Sequence, residues 1–167
     1  MKTTSVLLIE DNETQAHGLR LVLGSGRNHF ALQWAKNLCE ATALIKEEGV
    51  NVDVILLDLG LPDSKGLDTL KKVHALAPLT PIVVYTGASD AEVESLSEEI
   101  IKHGAQDLLV KGEIEVPVLA RSLKLAVERS ARLTAEEDIK RLSVELETAR
   151  TTVREVIADL KDSFRLD

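Results

Sequence analysis

The segment Val52-Asp53-Val54-Ile55-Leu56-Leu57-Asp58-Leu59-Gly60-Leu61-Pro62-Asp63 constrains the fold more than any other stretch. Its run of Val, Ile and Leu lacks polar alternation, which suits a strand buried on both faces, as in a parallel sheet covered by helices. Asp58 falls at the carboxyl end of that run. Open α/β sheets bind their ligands in the crevice beyond the carboxyl ends of their strands. A carboxylate there can be a nucleophile, a metal ligand or the N-cap of the next turn, and the neighbouring strands decide which.

Four further strand signals accompany the central one. Val6-Leu7-Leu8-Ile9 is a short apolar run that ends in Glu10-Asp11-Asn12, and Phe30 to Ala35 is a weaker strand. Pro81 to Gly87 delivers a hydroxyl, Thr86, and the strand Asp107 to Gly112 ends on Lys111. Helical spacing fills the intervals. Residues from about Glu13 to Leu23 carry Ala16, Leu19, Val22 and Leu23 inward, with Gly24 and Gly26 as stop signals. Asn37 and Glu40 have capping-box spacing and open a helix with Leu38, Ala41, Leu44 and Ile45 inward and Gly49 at its end. Gly60 to Gly66 reads as a loop, followed by a helix on Leu67, Leu70, Val73 and Leu76 that Pro78 closes. Ser89 and Glu92 form another capping box, before a helix with Val93, Leu96 and Ile100 inward and Gly104 at its end. Strand and helix alternate five times with short connections, which predicts a five-stranded, doubly wound parallel sheet of the flavodoxin-like type.

Composition narrows the function classes. At 167 residues the chain is long enough for one domain and an appendage. Its formal net charge of -8 argues against a nucleic-acid surface and favours divalent cations or basic partners. Cys39 is the only cysteine, so no intrachain disulfide forms, and a buried, inert thiol is expected. No signal segment opens the chain, and no apolar run approaches the ~18 residues of a membrane helix. A soluble, cytoplasmic protein is expected.

In a parallel sheet, four strand exits bring Glu10, Asp11, Asp58, Thr86 and Lys111 to one crevice. Three carboxylates so close repel by several kcal/mol at intermediate dielectric, so a positive group must sit among them. A hard divalent cation with oxygen ligands meets that need, and Mg²⁺ suits a site of few carboxylates. A lysine and a threonine would complement phosphoryl oxygens during transfer, which leaves the central Asp58 as the nucleophile. Taken singly, each residue has an ordinary structural role: Asp58 as a cap, Thr86 as a strand-end hydroxyl, Lys111 as a solvated charge. Two other acid-rich readings fit less well. A haloacid-dehalogenase-type phosphatase wants a second Asp where Gly60 stands, and a flavodoxin's phosphate would be repelled by Glu10 and Asp11. The histidines, His17, His29, His74 and His103, share no ligand spacing, and Trp34 is read as core or sheet edge.

From about Ser5 to Arg129 the chain resembles the receiver domains of bacterial two-component response regulators. Leu8 to Asn12 looks like the family's acidic-pair segment, and Leu56 to Asp63 looks like its phosphoacceptor segment. Val84 to Gly87 and Gly104 to Lys111 resemble the hydroxyl and lysine segments. The resemblance implies that Asp58 accepts a phosphoryl group from a histidine kinase or a phosphotransfer protein. It further implies that Glu10, Asp11, Asp58 and the Gly60 backbone carbonyl hold Mg²⁺, while Thr86 and Lys111 contact the phosphoryl oxygens. The family is one of phosphoacceptor signalling domains rather than enzymes. Two positions depart from its usual pattern: Leu108 stands where an aromatic residue is common, and Gly112 replaces the proline that commonly follows the lysine. Without that proline a cis peptide costs about 2.5–4 kcal/mol, so a trans or more mobile bond is expected after Lys111.

The remainder is a helix that outruns a receiver. Glu115-Val116-Pro117 starts it, and no Gly or Pro occurs from Val118 to Asp167. Ile139, Leu142, Leu146, Ala149, Val153, Val156 and Leu160 alternate in steps of three and four, the seam of a coiled coil. With Ile139 at position a, Glu145 and Arg150 take g and e positions that attract across a parallel dimer. Ile157 and Phe164 widen the stripe. The alternatives are a helix folded back on its own receiver, or a four-helix bundle. The expected organisation is a receiver over 1–129 and a dimerising, signal-transmitting helix over 130–167, acting on a downstream effector. The rival readings are the regulatory piece of a larger enzyme, such as a diguanylate cyclase or hybrid kinase, and a dimeric scaffold indifferent to phosphate.

Overall fold

The computed structural model describes residues 3–25, 29–47, 51–87, 97–112 and 115–164. In chain order the elements are β1 (Thr4–Ile9), α1 (Glu13–Gly24), β2 (Phe30–Ala35), α2 (Leu38–Lys46) and β3 (Val54–Leu57). Then follow β4 (Gly60–Leu61), β5 (Ser64–Lys65), α3 (Gly66–Leu76), β6 (Ile82–Thr86), helical residues 97–102 (α4), β7 (Ala105–Val110) and α5 (Val116–Ser163). The chain divides into two compact units, Met1–Ser130 and Ala131–Asp167.

The first unit is the doubly wound sheet expected. Five parallel strands lie in the order β2-β1-β3-β6-β7, so the chain reverses its direction of winding between β1 and β3. That reversal is the topological switch point at which such sheets bind ligands. β3 is buried at all four positions because helices cover both of its faces. Leu7, Ile9, Ile55, Leu57, Ile82 and Val84 face a core closed by Ala41, Leu70, Val73 and Ile100. Val6, Leu8, Val54, Leu56 and Val83 face the opposite core, closed by Ala16, Leu19, Leu23, Leu119, Leu123 and Ala126. The alternation along each strand divides its side chains between these two layers.

Local details follow from the residues. Asn12 caps α1 by accepting the Gln15 N–H at 3.0 Å, and Asn37 caps α2 through Glu40 N–H at 2.8 Å. The Glu40 carboxylate returns to the N–H of Lys36 at 3.0 Å, one residue earlier than a capping box requires. Val22, expected inward, is exposed, because Ala16, Leu19 and Leu23 already span the narrow face that α1 turns to the sheet. Cys39, expected buried, is exposed as well: α2 buries Ala41 and tucks Leu38 against the core, which turns position 39 outward. The segment read as a loop after Asp58 contains a short antiparallel ribbon, Gly60 opposite Lys65 and Leu61 opposite Ser64. The stop signals Gly26 and Gly49, and the Ser89–Glu92 capping box with Val93 and Leu96, lie outside the described residues. Ile100 of that helix is buried as expected.

The second unit is helical through Ser163. None of its described residues is buried. The seam side chains stand open on the single chain, with Ile139 at 65%, Leu146 at 54% and Leu160 at 53% of full exposure. Within the helix Arg141 pairs with Asp138 and Arg150 with Glu147, each three residues apart. No described helix is long and apolar enough to cross a membrane.

Candidate functional site

The site is assembled by the sheet ladder running one residue past its strand ends. Glu10 N–H donates to the carbonyl of Ala35 at 3.0 Å, Asp58 N–H to Ile9 at 2.9 Å and Lys111 N–H to Thr86 at 2.9 Å. Each exit residue is thus pinned to the end of an adjacent strand, and their side chains leave the same edge of the sheet.

All five sequence-predicted side chains meet there. Asp58 is buried, and its Oδ1 accepts the Gly60 N–H at 3.0 Å and the Thr86 hydroxyl at 3.2 Å. Lys111 Nζ lies 2.5 Å from Asp58 Oδ2 and 2.6 Å from Glu10 Oε2. Glu10 is 1% exposed, and its Oε1 accepts the Asn12 N–H at 3.1 Å. Carboxylate oxygens of Glu10, Asp11 and Asp58 lie within 4.8 Å of one another, with Asp11 on the solvent side. Gly60, predicted through its carbonyl, is exposed beside them; a Cβ there would stand 3.7 Å from Asp58 Oδ1, an ordinary van der Waals contact.

The electrostatics are those of a partly compensated anionic pocket. Two carboxylates at such separations repel by about 3–4 kcal/mol at an effective dielectric of ~20. Burial pushes the Glu10 carboxyl above its ordinary range, against the lowering effect of Lys111. Burial alone would depress the Lys111 ammonium, but the bonds to Asp58 and Glu10 outweigh it and hold the ammonium above its usual value. Three formal negative charges against one positive leave the cluster at -2. A divalent cation would neutralise that charge, and the all-oxygen donor set suits a hard ion such as Mg²⁺.

Several participants were not legible in the sequence. The Trp34 indole N–H donates to the Glu10 carbonyl at 2.7 Å. Asp63, in the turn between β4 and β5, accepts the N–H groups of Leu38 at 2.9 Å and Cys39 at 3.0 Å, so it caps α2 from another element. The first of these bonds chiefly holds the Asp63 carboxyl below its usual range. Tyr85 places its ring 5.9 Å from Lys111 Nζ. On β7, Asp107 accepts the Ser122 hydroxyl of α5 at 2.6 Å. No side-chain periodicity signals any of these, since each joins separate elements.

The two departures from the family pattern also have structures. Leu108 packs half-buried against the core that Ile55 and Leu57 line. The peptide after Lys111 is trans, and Gly112 has φ +84°, a left-handed conformation closed to proline.

Comparisons with known proteins agree with this architecture. The family model described as "Response regulator receiver domain" matches residues 6–123. The rice two-component response regulator ORR1 (Oryza sativa subsp. japonica) is 36% identical over 115 residues, 65% of this chain and 49% of that protein. The cell cycle transcriptional regulator CtrA of Caulobacter vibrioides is 33% identical over 132 residues, 75% of this chain and 51% of its own length. This chain therefore spans about half the length of these relatives. Among solved structures, a receiver domain protein from Clostridium thermocellum superposes with a TM-score of 0.66 at 22% identity, covering 78% of this chain and 98% of its own. The receiver domain of a LuxO repressor protein from Vibrio parahaemolyticus gives 0.67 at 24%, covering 81% and 98%. With both the sheet and the matched sequence segments in place, the chain belongs to the response regulator receiver domain family.

Proposed function

We propose that Asp58 accepts a phosphoryl group from the phosphohistidine of a sensor histidine kinase or phosphotransfer protein. The C-terminal helices of two copies would pass the change on as a parallel coiled coil. The observation that carries the phosphoryl reading is the convergence of Lys111 and Thr86 on the two oxygens of a single buried carboxylate, Asp58, beside two further acids. An ordinary helix-capping aspartate needs none of these neighbours.

Asp58 Oδ2 attacks phosphorus in line, the O–P bond forms as the P–N bond to the donor imidazole breaks, and the imidazole leaves with the electron pair. Glu10, Asp11, Asp58 and the Gly60 carbonyl would hold Mg²⁺, which when bound supplies positive charge to the carboxylates and the incoming phosphoryl oxygens. Lys111 exchanges its bond to Asp58 Oδ2 for one to a phosphoryl oxygen, and the Thr86 hydroxyl donates to another. Both are donors that follow the charge as it moves from carboxylate to phosphoryl. The receiver itself does no more chemistry than this transfer and a slow hydrolysis.

The dimer reading rests on the exposed three-four seam from Ile139 to Leu160. The downstream step falls to a partner protein or an effector domain. Relatives in which the matched segment is joined to about as much chain again support the latter.

Incubation with acetyl phosphate and Mg²⁺, followed by intact mass measurement, tests the phosphoryl reading. One phosphoryl group per chain is expected in the wild type and none in Asp58→Asn. Equal uptake by the two proteins, or none by the wild type, overturns the assignment.

A further inference from the structure

The edge strand β2 contributes nothing to the five predicted site residues, yet it holds both main-chain groups of one of them. Its Ala35 carbonyl accepts the Glu10 N–H at 3.0 Å, and its Trp34 indole Nε1–H donates to the Glu10 carbonyl oxygen at 2.7 Å. Trp34 is the only tryptophan in the chain. It is half-buried, lies opposite Leu8 in the β1–β2 register and packs against the core that α1 and α5 cover.

The Glu10 carbonyl is also one end of the Glu10–Asp11 peptide. Because a peptide is planar, an oxygen held from the side fixes the plane, and with it the direction in which the Asp11 Cα leaves the strand. The sheet ladder ends at this point: β1 stops at Ile9 and α1 begins at Glu13, so no ladder bond of β1 orients the Glu10 carbonyl. The indole takes over where the ladder gives out. On the far side, Asn12 ties Glu10 Oε1 to the start of α1. Glu10 is thereby held at its N–H, its carbonyl and its carboxylate, and the bend that aims Glu10 and Asp11 into one crevice is set from β2.

We propose that Trp34 is a positioning residue for the divalent-cation site, orienting the Glu10–Asp11 peptide so that both carboxylates face Asp58. This rests on the Mg²⁺ reading given above. Partners that orient metal ligands without touching the metal typically change affinity by 10- to 100-fold when removed. The bond here is to a main-chain carbonyl rather than to the ligand atoms, so about a tenfold loss is expected.

The test is calorimetric Mg²⁺ titration of the full chain, with no phosphoryl donor present. Trp34→Phe removes the N–H and keeps an aromatic ring on the edge strand. Replacing Trp34 by benzothienylalanine keeps the bicyclic shape and removes only the N–H, so it serves even where the phenylalanine chain folds poorly. A roughly tenfold weaker Kd in the isostere, at an unchanged metal-free melting temperature, is the expected result. An isostere that binds Mg²⁺ as tightly as the wild type overturns the proposal while leaving the metal site standing. A wild type that takes up no Mg²⁺, or takes it up equally well as Asp11→Asn, overturns the metal reading and this proposal together.

Discussion

The carboxyl edge of the sheet and the C-terminal helix each invert the usual arrangement of a protein, in opposite senses. At the edge, charge is inside: Glu10 is 1% exposed, Asp58 is buried and the Lys111 side chain is 13% exposed. In the helix, apolar side chains are outside, from Ile139 to Leu160. The edge carries its own partial compensation, because Lys111 reaches two of the three carboxylates. The helix has none within its own unit. A buried charge can be balanced by one well-placed side chain, whereas an apolar stripe more than three heptads long needs a surface of matching length. The edge can therefore be balanced within one chain, whereas the helix is left with a stripe to cover, which under the proposed dimer falls to a second copy.

The comparison breaks most visibly in the helix. Most of a helix's stability in a protein comes from packing an apolar face. Leu146 sits mid-seam, and burying a leucine contributes about 1.5–3 kcal/mol per copy. Leu146→Lys removes that contribution twice and brings two ammonium groups together. At 1.4 kcal/mol per factor of ten, association weakens by more than about a hundredfold. Sedimentation should then report a monomer, and a dimer as tight as the wild type would remove the coiled-coil reading.

At the edge the corresponding change is Lys111→Met, which keeps much of the side-chain volume and deletes the compensating charge. Removing one partner of a buried pair costs about 3–5 kcal/mol; partial exposure of Lys111 brings the expectation here to roughly 2–4. The metal-free melting temperature should fall, and Mg²⁺ should recover more of it in the variant than it adds to the wild type. The sign of the pH dependence follows from the raised folded pKa of Lys111. Its stabilisation is fully present below the ordinary lysine value of 10.5 and is lost as pH rises through the higher folded value. Above neutrality the gap between wild type and variant should therefore persist until strong alkali, while on the acid side it narrows as Glu10, whose carboxyl burial pushes up, takes up its proton. A gap that closes between neutrality and the ordinary lysine value would assign the effect to something other than this ammonium.

The same contrast explains what the sequence disclosed. The edge was legible because strand signals are local: an apolar run followed by Glu10, Asp58 or Lys111 marks both the strand and its exit, and parallel topology brings the exits together. The exposed three-four stripe of the helix was legible because its period persists for more than three heptads. Trp34, Asp63 and Ser122 were not, because each acts across 15–25 residues of chain through one or two bonds to another element. Cys39 and Val22 failed for other reasons. For Val22, helical spacing locates an apolar stripe but not its width; Cys39 was expected buried as a lone thiol, although the helical spacing already left position 39 out of the inward set. The β4–β5 ribbon has two residues in each strand, too short for a period of two to register.

Asp63 offers the finest division between the two kinds of site, since it is a charge that stays outside and still has a structural partner. Its carboxylate caps α2 through Leu38 and Cys39 and ties the turn that follows Asp58 to that helix. Asp63→Asn keeps one acceptor oxygen and loses the second, together with the attraction between a full charge and the helix N-terminus. In so exposed a place the cost is about 0.5 kcal/mol, or roughly 1–2 °C in melting temperature for a chain of this length. The carboxyl's folded pKa lies below its ordinary 3.8, so its contribution is present above that value and lost as pH falls through the lower folded one. Asparagine does not titrate. Melting curves of the two proteins should therefore differ at pH 7 and converge under strong acid, and a difference that survives acidification would mean that the shape of the side chain, and not its charge, holds the turn to α2.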